Sequence, residues 1–459
     1  MATNTDFFDY LADHLLILII SSLPFKDAAR TTTLSKRWHD LWRSTKIVEF
    51  KESFFTRQSH ASDEDNETSR LRFIDFMSHW IQNFRGVELD NFHISFLNPE
   101  NFLEHIALAI RFATSHQVRK LEIDFSDPCW DSEDVHHLQT HVSSFDLPIF
   151  VYQLGFLESL KLSFCNVQAL EFTNLRALKH LSLAYIDLSS SSLKSLISHL
   201  PSLENLSLKR CQKKEAIDIY SMSLQTLVID KCTNFYDNWI AITAPNLHFF
   251  KYCGTALTFH FERMSSLQEA DFDFALENEY AEMGDCLYFL LHDLDRVKFL
   301  TVCSYFLQII FSGIEPMGLR YPLVVQHLTL KTALHANEFH GIAYMLNICH
   351  LLEILSIDLI PAMIFSDYEP PFPLTPYRFW IEEIDYQCLT TTLKRIEIKG
   401  FRGRPNEFQL LRYLLKHGVL LETLKIDVSR EGDMETYVQN AQNLLNFEKA
   451  SSCLEISIS

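Results

Sequence analysis

Short apolar phrases recur along most of the chain, with large aliphatic residues at the first, fourth and sixth positions of each phrase. Apolar and polar residues alternate in the second half of each phrase, which predicts a β-strand with one buried face. Copies in the middle of the chain start 20 to 25 residues apart, and later copies are spaced more widely. The clearest copies begin at Leu157, Leu178, Leu203, Leu224, Leu352 and Leu421, and weaker copies begin at Val118, Leu247, Leu267, Val297, Val325 and Leu393.

The period of these phrases is typical of leucine-rich repeats. One strand and its return segment bury only one side of a small unit, so stacking of neighbouring units must bury the other. Each buried leucine then contributes about 1.5–3 kcal/mol. We therefore predict an α/β fold in which residues 118–380 form a leucine-rich-repeat solenoid. Its parallel strands line the concave face, and its second half is irregular.

Alternation within each predicted strand separates buried from free side chains. The fourth and sixth residues of a phrase point inward, and the third, fifth and seventh point to the concave surface. Apolar residues at outward positions indicate a binding site, although an irregular loop that covers them would explain them equally well. The outward residues that we assign as candidate target contacts are His180, Asn205, Phe249, Lys251, Phe299, His327 and Ile354, with Thr301 and Arg395 at equivalent positions.

Three of the phrases have a cysteine eight residues after their first leucine, namely Cys165, Cys211 and Cys232. In leucine-rich repeats this slot faces the interior, and an Asn or Cys there bonds to neighbouring backbone. We therefore expect buried thiols with a structural role. A metal site would need a converging cluster, whereas stacked repeats produce a ladder, so we expect no metal here.

The first fifty residues predict three short helices with more apolar surface than so small a unit can enclose. Asp13 is a candidate N-cap of the first helix, which Pro24 ends because the residue before proline disfavours helical backbone. Ser35 is expected to cap the third helix, which places Trp38 and Trp42 on one face. A second polypeptide is expected to cover the excess apolar surface. The alternative is a helical cap buried on the rest of the chain.

This segment resembles the F-box, in particular the plant form that ends in LSKRW-x-x-LW. It departs from the pattern at Ala12, where most F-boxes have a proline. The resemblance covers residues 1–50 and implies docking on a Skp-type adaptor, which in turn attaches to a cullin-based ubiquitin ligase. The residues to which the resemblance assigns the adaptor contact are Leu11, Leu15, Ile19, Leu23, Pro24, Phe25, Leu34, Trp38, Leu41 and Trp42.

Residues 51–117 are predicted to form an acidic linker and a helical capping region. Residues 59–69 contain no large apolar residue and four acidic ones, which predicts a solvated loop. Helical periodicity returns between Leu71 and Phe84, and a second helix is predicted after Pro99. We expect these two helices to cap the first repeat.

Residues 381–459 contain a strand, LKRIEIKGF, an Arg-Gly-Arg-Pro turn, a leucine-rich helix closed by Gly418, and a second strand, LETLKI. This order resembles the FBD module at the C-terminus of many plant F-box proteins with leucine-rich repeats. The resemblance implies no known chemistry. We expect the module to act as a final repeat that closes the solenoid.

Composition and motifs argue against several function classes. The chain has 40 Lys and Arg against 59 Asp and Glu, a net charge of −19, so neither nucleic acid nor an anionic membrane is an expected partner. It has only 11 glycines and no nucleotide-binding or hydrolase motif, so we expect no enzyme and no cofactor.

Asp134, His137 and His141 form the best metal-ligand pattern, which we interpret as part of a solvated loop. The basic cluster from Lys209 to Lys214 is interpreted as solvated loop charge.

Cysteine usage and the absence of a secretory leader predict a cytosolic or nuclear protein with free thiols. The apolar run from Leu15 to Ile20 is far too short to span a bilayer.

The F-box resemblance and the repeats together predict a non-catalytic substrate receptor of a Skp–cullin–F-box ubiquitin ligase, whose repeats bind an unknown target protein. Two alternatives stay open. One is a repeat scaffold with no ligase role, and the other is a small-molecule-sensing F-box receptor, although no dense ring of Lys and Arg lines the outward positions.

Overall fold

The computed structural model describes residues 7–55, 63–97, 99–132, 145–188, 193–212, 217–232, 239–274, 276–277, 279–312, 322–365, 376, 378–381 and 385–459. The chain divides into two compact units. The N-terminal unit comprises Met1–Glu215 and Cys232–Asn234, and the C-terminal unit comprises Ala216–Lys231 and Phe235–Ser459. Both units contain a parallel β-sheet and helices, which confirms the predicted α/β class.

Three short helices begin the N-terminal unit, as the sequence predicts. They are α1 (Asp13–Ser22), α2 (Phe25–Arg30) and α3 (Lys36–Trp42). The hydroxyl of Ser35 caps α3 by accepting the backbone N–H of Trp38 at 3.4 Å. The prediction that Asp13 caps α1 is wrong, because the helix already includes Asp13 and its cap position is Ala12. The Asp13 carboxylate instead accepts the Nε–H of Arg37 at 2.9 Å, which links α1 to α3.

Two longer helices follow, α4 (Asp63–Gln82) and α5 (Leu103–Ser115). They confirm the two predicted helices of the capping region. The prediction of a solvated loop over residues 59–69 is wrong from residue 63 onward, because α4 begins there. The helix extends into this polar segment because a helix propagates readily from a packed stretch, and Ile74, Met77 and Trp80 of α4 are buried.

The sheet of the N-terminal unit has six parallel strands in chain order. It begins well before residue 118, where the repeats were expected to start, because two strands without a leucine phrase precede the first copy. A short helix, α6 (Leu193–Ser198), lies between the last two strands in the chain. The strands are β1 (Ile47–Lys51), β2 (Asn91–Ser95), β3 (Lys120–Asp124), β4 (Ser159–Ser163), β5 (His180–Ala184) and β6 (Asn205–Lys209).

The C-terminal unit contains a second run of parallel strands, in which each strand pairs with the next one along the sheet. The strands that precede the C-terminal module are β8 (Thr226–Asp230), β10 (Phe249–Cys253), β12 (Glu269–Asp273), β13 (Phe299–Cys303), β14 (His327–Thr332) and β15 (Ile354–Leu359). The module adds β16 (Arg395–Phe401), β17 (Thr423–Val428) and β18 (Glu455–Ile458).

Helices and a separate small sheet complete the C-terminal unit. The small sheet consists of β7 (Ile217–Tyr220), β9 (Trp239–Thr243) and β11 (Thr258–Glu262), with β9 in the centre. The helices are α7 (Gly284–Asp293), α8 (Ser304–Ile309), α9 (Phe339–Ile348), α10 (Gln387–Thr391), α11 (Pro405–His417) and α12 (Met434–Asn443). The long parallel sheets confirm the predicted repeat architecture.

The cysteines that lie eight residues after the first leucine of a phrase are in the protein interior, as predicted. Cys165, Cys211 and Cys232 are all buried. The Cys211 thiol donates to the carbonyl oxygen of Leu183 at 3.3 Å, and the Cys232 thiol donates to that of Leu208 at 3.6 Å. Two of these thiols therefore bond to the backbone of the preceding strand, as expected for repeats stacked in register.

The residue before the cysteine slot has left-handed backbone, which turns the chain out of each strand. Phe164 has φ 56°, Tyr185 has φ 54° and Arg210 has φ 49°. Such angles are uncommon for residues other than glycine. Their strain is offset because the N–H groups extend the sheet ladder, from Phe164 to Ala184 O and from Tyr185 to Lys209 O, both at 2.9 Å.

The C-terminal module has the predicted order of strand, turn, helix and strand, with α11 between β16 and β17. The buried Glu407 carboxylate accepts the backbone N–H groups of Arg402, Gly403 and Arg404 and thereby organises the turn before α11. Gly418 ends α11, as predicted, with its N–H bonded to a carbonyl of the last turn.

Candidate protein-docking surfaces

Residues Leu15–Ile20 are apolar and run around the whole circumference of α1, but the described part of the chain buries only one face of this segment. Leu16 and Ile20 are fully buried, whereas Leu15 is 40 % exposed and Leu18 is 55 % exposed. Leu34, which directly precedes the α3 cap, is 65 % exposed. A helix that is apolar on all sides is normally enclosed on all sides. The uncovered face of α1 is therefore available to another molecule.

The opposite side of the three helices is anchored by a cluster of aromatic rings. The ring of Phe25 lies 5.7 Å from that of Trp42 and 5.7 Å from that of Trp80 on α4. Phe50 on β1 lies 5.5 Å from Trp80, nearly perpendicular to it. These aromatic contacts each add roughly 0.5–1.5 kcal/mol to the burial of the rings. The helices are thus packed on the first strand and on α4.

Four of the ten residues to which the F-box resemblance assigns the adaptor contact are not left open to a partner. Phe25, Trp38, Leu41 and Trp42 are buried by this chain. Phe25 and Trp42 contact Trp80 of α4, and Phe25 also contacts Phe50 of β1. The ring of Phe8 lies 5.6 Å from that of Trp38. Of the other six, Leu15, Pro24 and Leu34 are exposed, and Leu11, Ile19 and Leu23 are half-buried.

The structure adds three exposed side chains that the sequence reasoning missed. They are Phe8, Tyr10, which is 76 % exposed, and Leu18. The signal for Leu18 was present, because it lies three residues after Leu15 on the same helix face. The two aromatic residues precede the first helix and carry no periodic signal. We refer to the exposed apolar residues of this segment, namely Phe8, Tyr10, Leu15, Leu18 and Leu34, as the N-terminal apolar surface.

On the sheet of the N-terminal unit, the outward positions carry polar side chains. His180 and Asn205 are neighbours in the register of β5 and β6. The Asn205 amide lies 2.9 Å from Nδ1 of His180, so the two side chains hold each other in place. Leu181 and Leu206, which follow them, are buried, as the predicted alternation requires.

On the sheet of the C-terminal unit, the predicted outward residues are likewise at least partly accessible. Phe299 is exposed, and Phe249, Lys251, His327 and Ile354 are half-buried. Thr301 is half-buried and Arg395 is exposed. Whether these side chains bind a target stays a prediction.

The seventh position of the phrase does not point outward in every repeat. Ser163, Ala184, Cys253 and Cys303 occupy it and are buried. These residues stand at the last position of their strands, where the chain turns and the alternation of side chains ends. The prediction for the seventh position is therefore wrong in these repeats.

A compact charge network occupies the outward face of β10, β12 and β14. The Lys331 ammonium lies 3.0 Å from Oδ1 of Asp271 and 3.2 Å from Oδ2 of Asp273. Lys251 reaches Asp271 at 3.4 Å. Burial alone would lower the pKa of Lys331, but the two carboxylates outweigh it and raise that pKa. Lys331 therefore stays charged and the network is internally neutralised.

Several predicted features fall wholly or partly outside the described residues. Asp134, His137 and His141 lie there, as do Lys213 and Lys214 of the basic cluster. Within the described part of the chain, no group of three or more His, Cys, Asp or Glu side chains is arranged to hold a metal ion. No helix in the described ranges has both the length and the apolar character needed to cross a membrane.

Comparison with known proteins identifies both parts of the chain. The F-box domain model matches residues 8–50, and the LRR domain model described as At1g61320/AtMIF1 matches residues 144–457, more than half of the chain. The fold and these matches define an F-box protein with leucine-rich repeats. The chain belongs to the F-box/LRR-repeat family, which confirms the F-box resemblance and the predicted leucine-rich repeats.

Three relatives from Arabidopsis thaliana illustrate the relationship. The first is named as a putative F-box/LRR-repeat protein and is 34 % identical to this chain over 416 residues. The aligned region covers 89 % of this chain and 85 % of the relative. A protein named as an F-box protein is 31 % identical over 427 residues, 92 % of this chain and 91 % of its own. An F-box/FBD/LRR-repeat protein is 25 % identical over 475 residues, 98 % and 95 % of the two chains.

Proposed function

We propose that this protein is the substrate-recognition subunit of a Skp–cullin–F-box ubiquitin ligase. The observation that carries the proposal is the N-terminal apolar surface, whose five residues all lie within the F-box match, residues 8–50. Large apolar side chains left in water, with an aromatic residue such as Tyr10 among them, are typical of a surface that a protein partner covers. A Skp-type adaptor is the partner expected to cover them.

The aromatic anchor gives this docking surface a fixed position in the N-terminal unit. Trp42 and Phe25 are buried against Trp80 and Phe50, so the F-box helices cannot turn freely relative to β1 and α4. A ligase subunit of this kind acts by holding its target near the ubiquitin donor, which raises the effective concentration of the reacting groups. In this proposal the chain is a non-catalytic adaptor, works in the cytosol or nucleus, and binds a target protein through its repeats.

Co-purification of the full-length chain with a Skp-type adaptor tests the proposal. We expect Leu18→Asp and Leu34→Asp each to abolish recovery of the adaptor, because each replaces an exposed apolar side chain of the proposed interface with a charge that docking would have to desolvate. The matched control is Val87→Asp, since Val87 is 84 % exposed in the same unit but lies outside the F-box match. Equal recovery of the adaptor with all three variants would contradict the proposal.

The two alternative functions give different results in the same preparation. A scaffold without a ligase role predicts that the unmodified chain does not retain the adaptor at all. A small-molecule receptor predicts that a metabolite panel raises the thermal unfolding temperature of the chain. Adaptor binding without such a rise favours the proposed function.

A further inference from the structure

Three outward side chains form a row across neighbouring strands of the C-terminal unit. Phe249, Glu269 and Phe299 are the first residues of β10, β12 and β13, and the register pairs Phe249 with Glu269 and Glu269 with Phe299. Neighbouring strands lie about 4.8 Å apart. The backbones of the two phenylalanines are therefore about 9.6 Å apart, twice that spacing, with a carboxylate between them.

The carboxylate of Glu269 differs from the other acidic side chains of this sheet region. Asp271 is neutralised by Lys251 and Lys331, and Asp273 is neutralised by Lys331. Glu269 is exposed and makes no ion pair with any residue that the structure describes. The row thus presents one uncompensated negative charge between two aromatic rings.

The ring of Phe299 is held in place from its other side. His327 on β14 contacts it edge to face, with ring centroids 6.1 Å apart. The Nε2 atom of His327 lies 2.8 Å from the hydroxyl of Ser356 on β15, which fixes the imidazole. Burial lowers the pKa of His327, so this neighbour is mainly neutral at neutral pH. The Phe299 end of the row is therefore held in place by its neighbours.

We propose that Phe249, Glu269 and Phe299 form a slot for an arginine side chain of the target protein. A guanidinium above Glu269 would lie about 4.8 Å from the strand of each phenylalanine, a spacing that lets the rings reach it within the roughly 6 Å of a cation–π contact. Its planar fork of donors meets the carboxylate of Glu269 in a charge-assisted pair. The net charge of −19 favours the approach of a basic segment. This inference rests on the proposed function, since it names the chemistry that the repeats recognise.

Selection from a random heptapeptide phage library on the full-length protein tests the slot. We expect the selected peptides to share an arginine. In a synthetic copy, replacement of that arginine by citrulline, which is neutral and nearly the same shape, should weaken binding about tenfold. No enrichment of arginine, or equal affinity of the citrulline peptide, would overturn the inference.

Variants of the protein locate the contact. Glu269→Gln should weaken binding of the selected peptide about tenfold, and Phe299→Leu several-fold, because leucine keeps an apolar side chain but removes the ring face. Glu282→Gln and Phe289→Leu are matched controls, since both residues are exposed in the same unit away from the row. If Glu269→Gln binds as tightly as the controls, the slot does not exist.

The same variants separate this inference from the proposed function. All four substitutions lie outside residues 8–50 and should leave adaptor co-purification unchanged. Loss of peptide binding with retained adaptor binding supports the slot. Retained peptide binding in Glu269→Gln overturns the slot but leaves the ligase role intact, whereas failure of the unmodified chain to bind the adaptor rejects the ligase role alone.

Discussion

The indole ring of Trp42 lies 5.9 Å from that of Trp80, with 69° between the ring planes. This contact joins the last F-box helix to α4, a helix that lies outside the F-box match. The F-box of this protein therefore has two sides with different roles. One side is part of the hydrophobic core of the N-terminal unit, and the other is the N-terminal apolar surface.

Stability and adaptor binding should respond to different residues. We expect Trp42→Ala to lower the free energy of unfolding by about 3–5 kcal/mol, because it leaves a cavity in a buried aromatic cluster. Leu18→Asp should lower it by no more than about 1–2 kcal/mol, because Leu18 is 55 % exposed and loses only part of a leucine's burial. Urea denaturation of both variants checks this. An equal loss of stability in the two would mean that α1 is not open on its outer face.

The irregularity in β16, where the register with β17 shifts between Lys399 and Phe401, should depend on glycine. Gly400 has φ 79°, and a Cβ there would lie 2.6 Å from the carbonyl oxygen of Leu359. We expect Gly400→Ala to destabilise the protein by about 1–3 kcal/mol through backbone strain and that contact. Thermal unfolding measures the loss. Gly155→Ala is the control, since a Cβ there would have only an ordinary contact at 3.8 Å and ordinary backbone.

The thiols should react in the order of their exposure. Cys129 and Cys453 are exposed, Cys286 is half-buried, and the other seven cysteines are buried. Burial raises the pKa of Cys253 to about 12 and that of Cys303 to about 11, so little thiolate exists there at neutral pH. Alkylation with iodoacetamide, followed by mass spectrometry, should label Cys129 and Cys453 first and the buried thiols only after unfolding. If Cys211 in the folded protein were labelled at the rate of Cys453, this would contradict its burial and its hydrogen bond to the carbonyl oxygen of Leu183.

Acid should weaken the protein in part through His327. Its pKa is lowered by burial from the ordinary 6.5, so the unfolded chain binds the proton more readily than the folded one. The stabilisation is therefore fully present above pH 6.5 and is lost as the pH falls through the lower pKa of the folded state. Urea denaturation at about pH 7.5 and about pH 5.5, on either side of the ordinary histidine pKa, should show a smaller difference in His327→Asn than in the unmodified chain. An identical difference in the two proteins would exclude this contribution.

The periodic parts of the molecule were predictable from sequence because periodicity reports burial directly. The leucines of the phrases at Leu178 and Leu203 are buried on the inner face of their strands, and the cysteine slot is filled as expected. The F-box helices and the C-terminal module followed from their spacing and turn residues. What these signals share is that each depends on residues close together in the chain.

The missed features depend on contacts between distant parts of the chain. The apolar character of Trp38 and Trp42 was visible, but the sequence did not reveal that Phe8 and Trp80 would cover them. Strands β1 and β2 lack the leucine phrase, so pairing rather than pattern identifies them as the start of the sheet. The charge network around Lys331 likewise requires the register of β12 and β14.

Oxidative footprinting of the N-terminal apolar surface tests the central claim most directly. The full-length protein is exposed to hydroxyl radicals with and without a Skp-type adaptor, and oxidation of each side chain is measured by mass spectrometry. We predict that the adaptor protects Tyr10, Leu18 and Leu34, while Val87 stays equally reactive and Trp42 stays protected in both samples. Unchanged oxidation of Tyr10 and Leu34 in the presence of saturating adaptor would contradict the account.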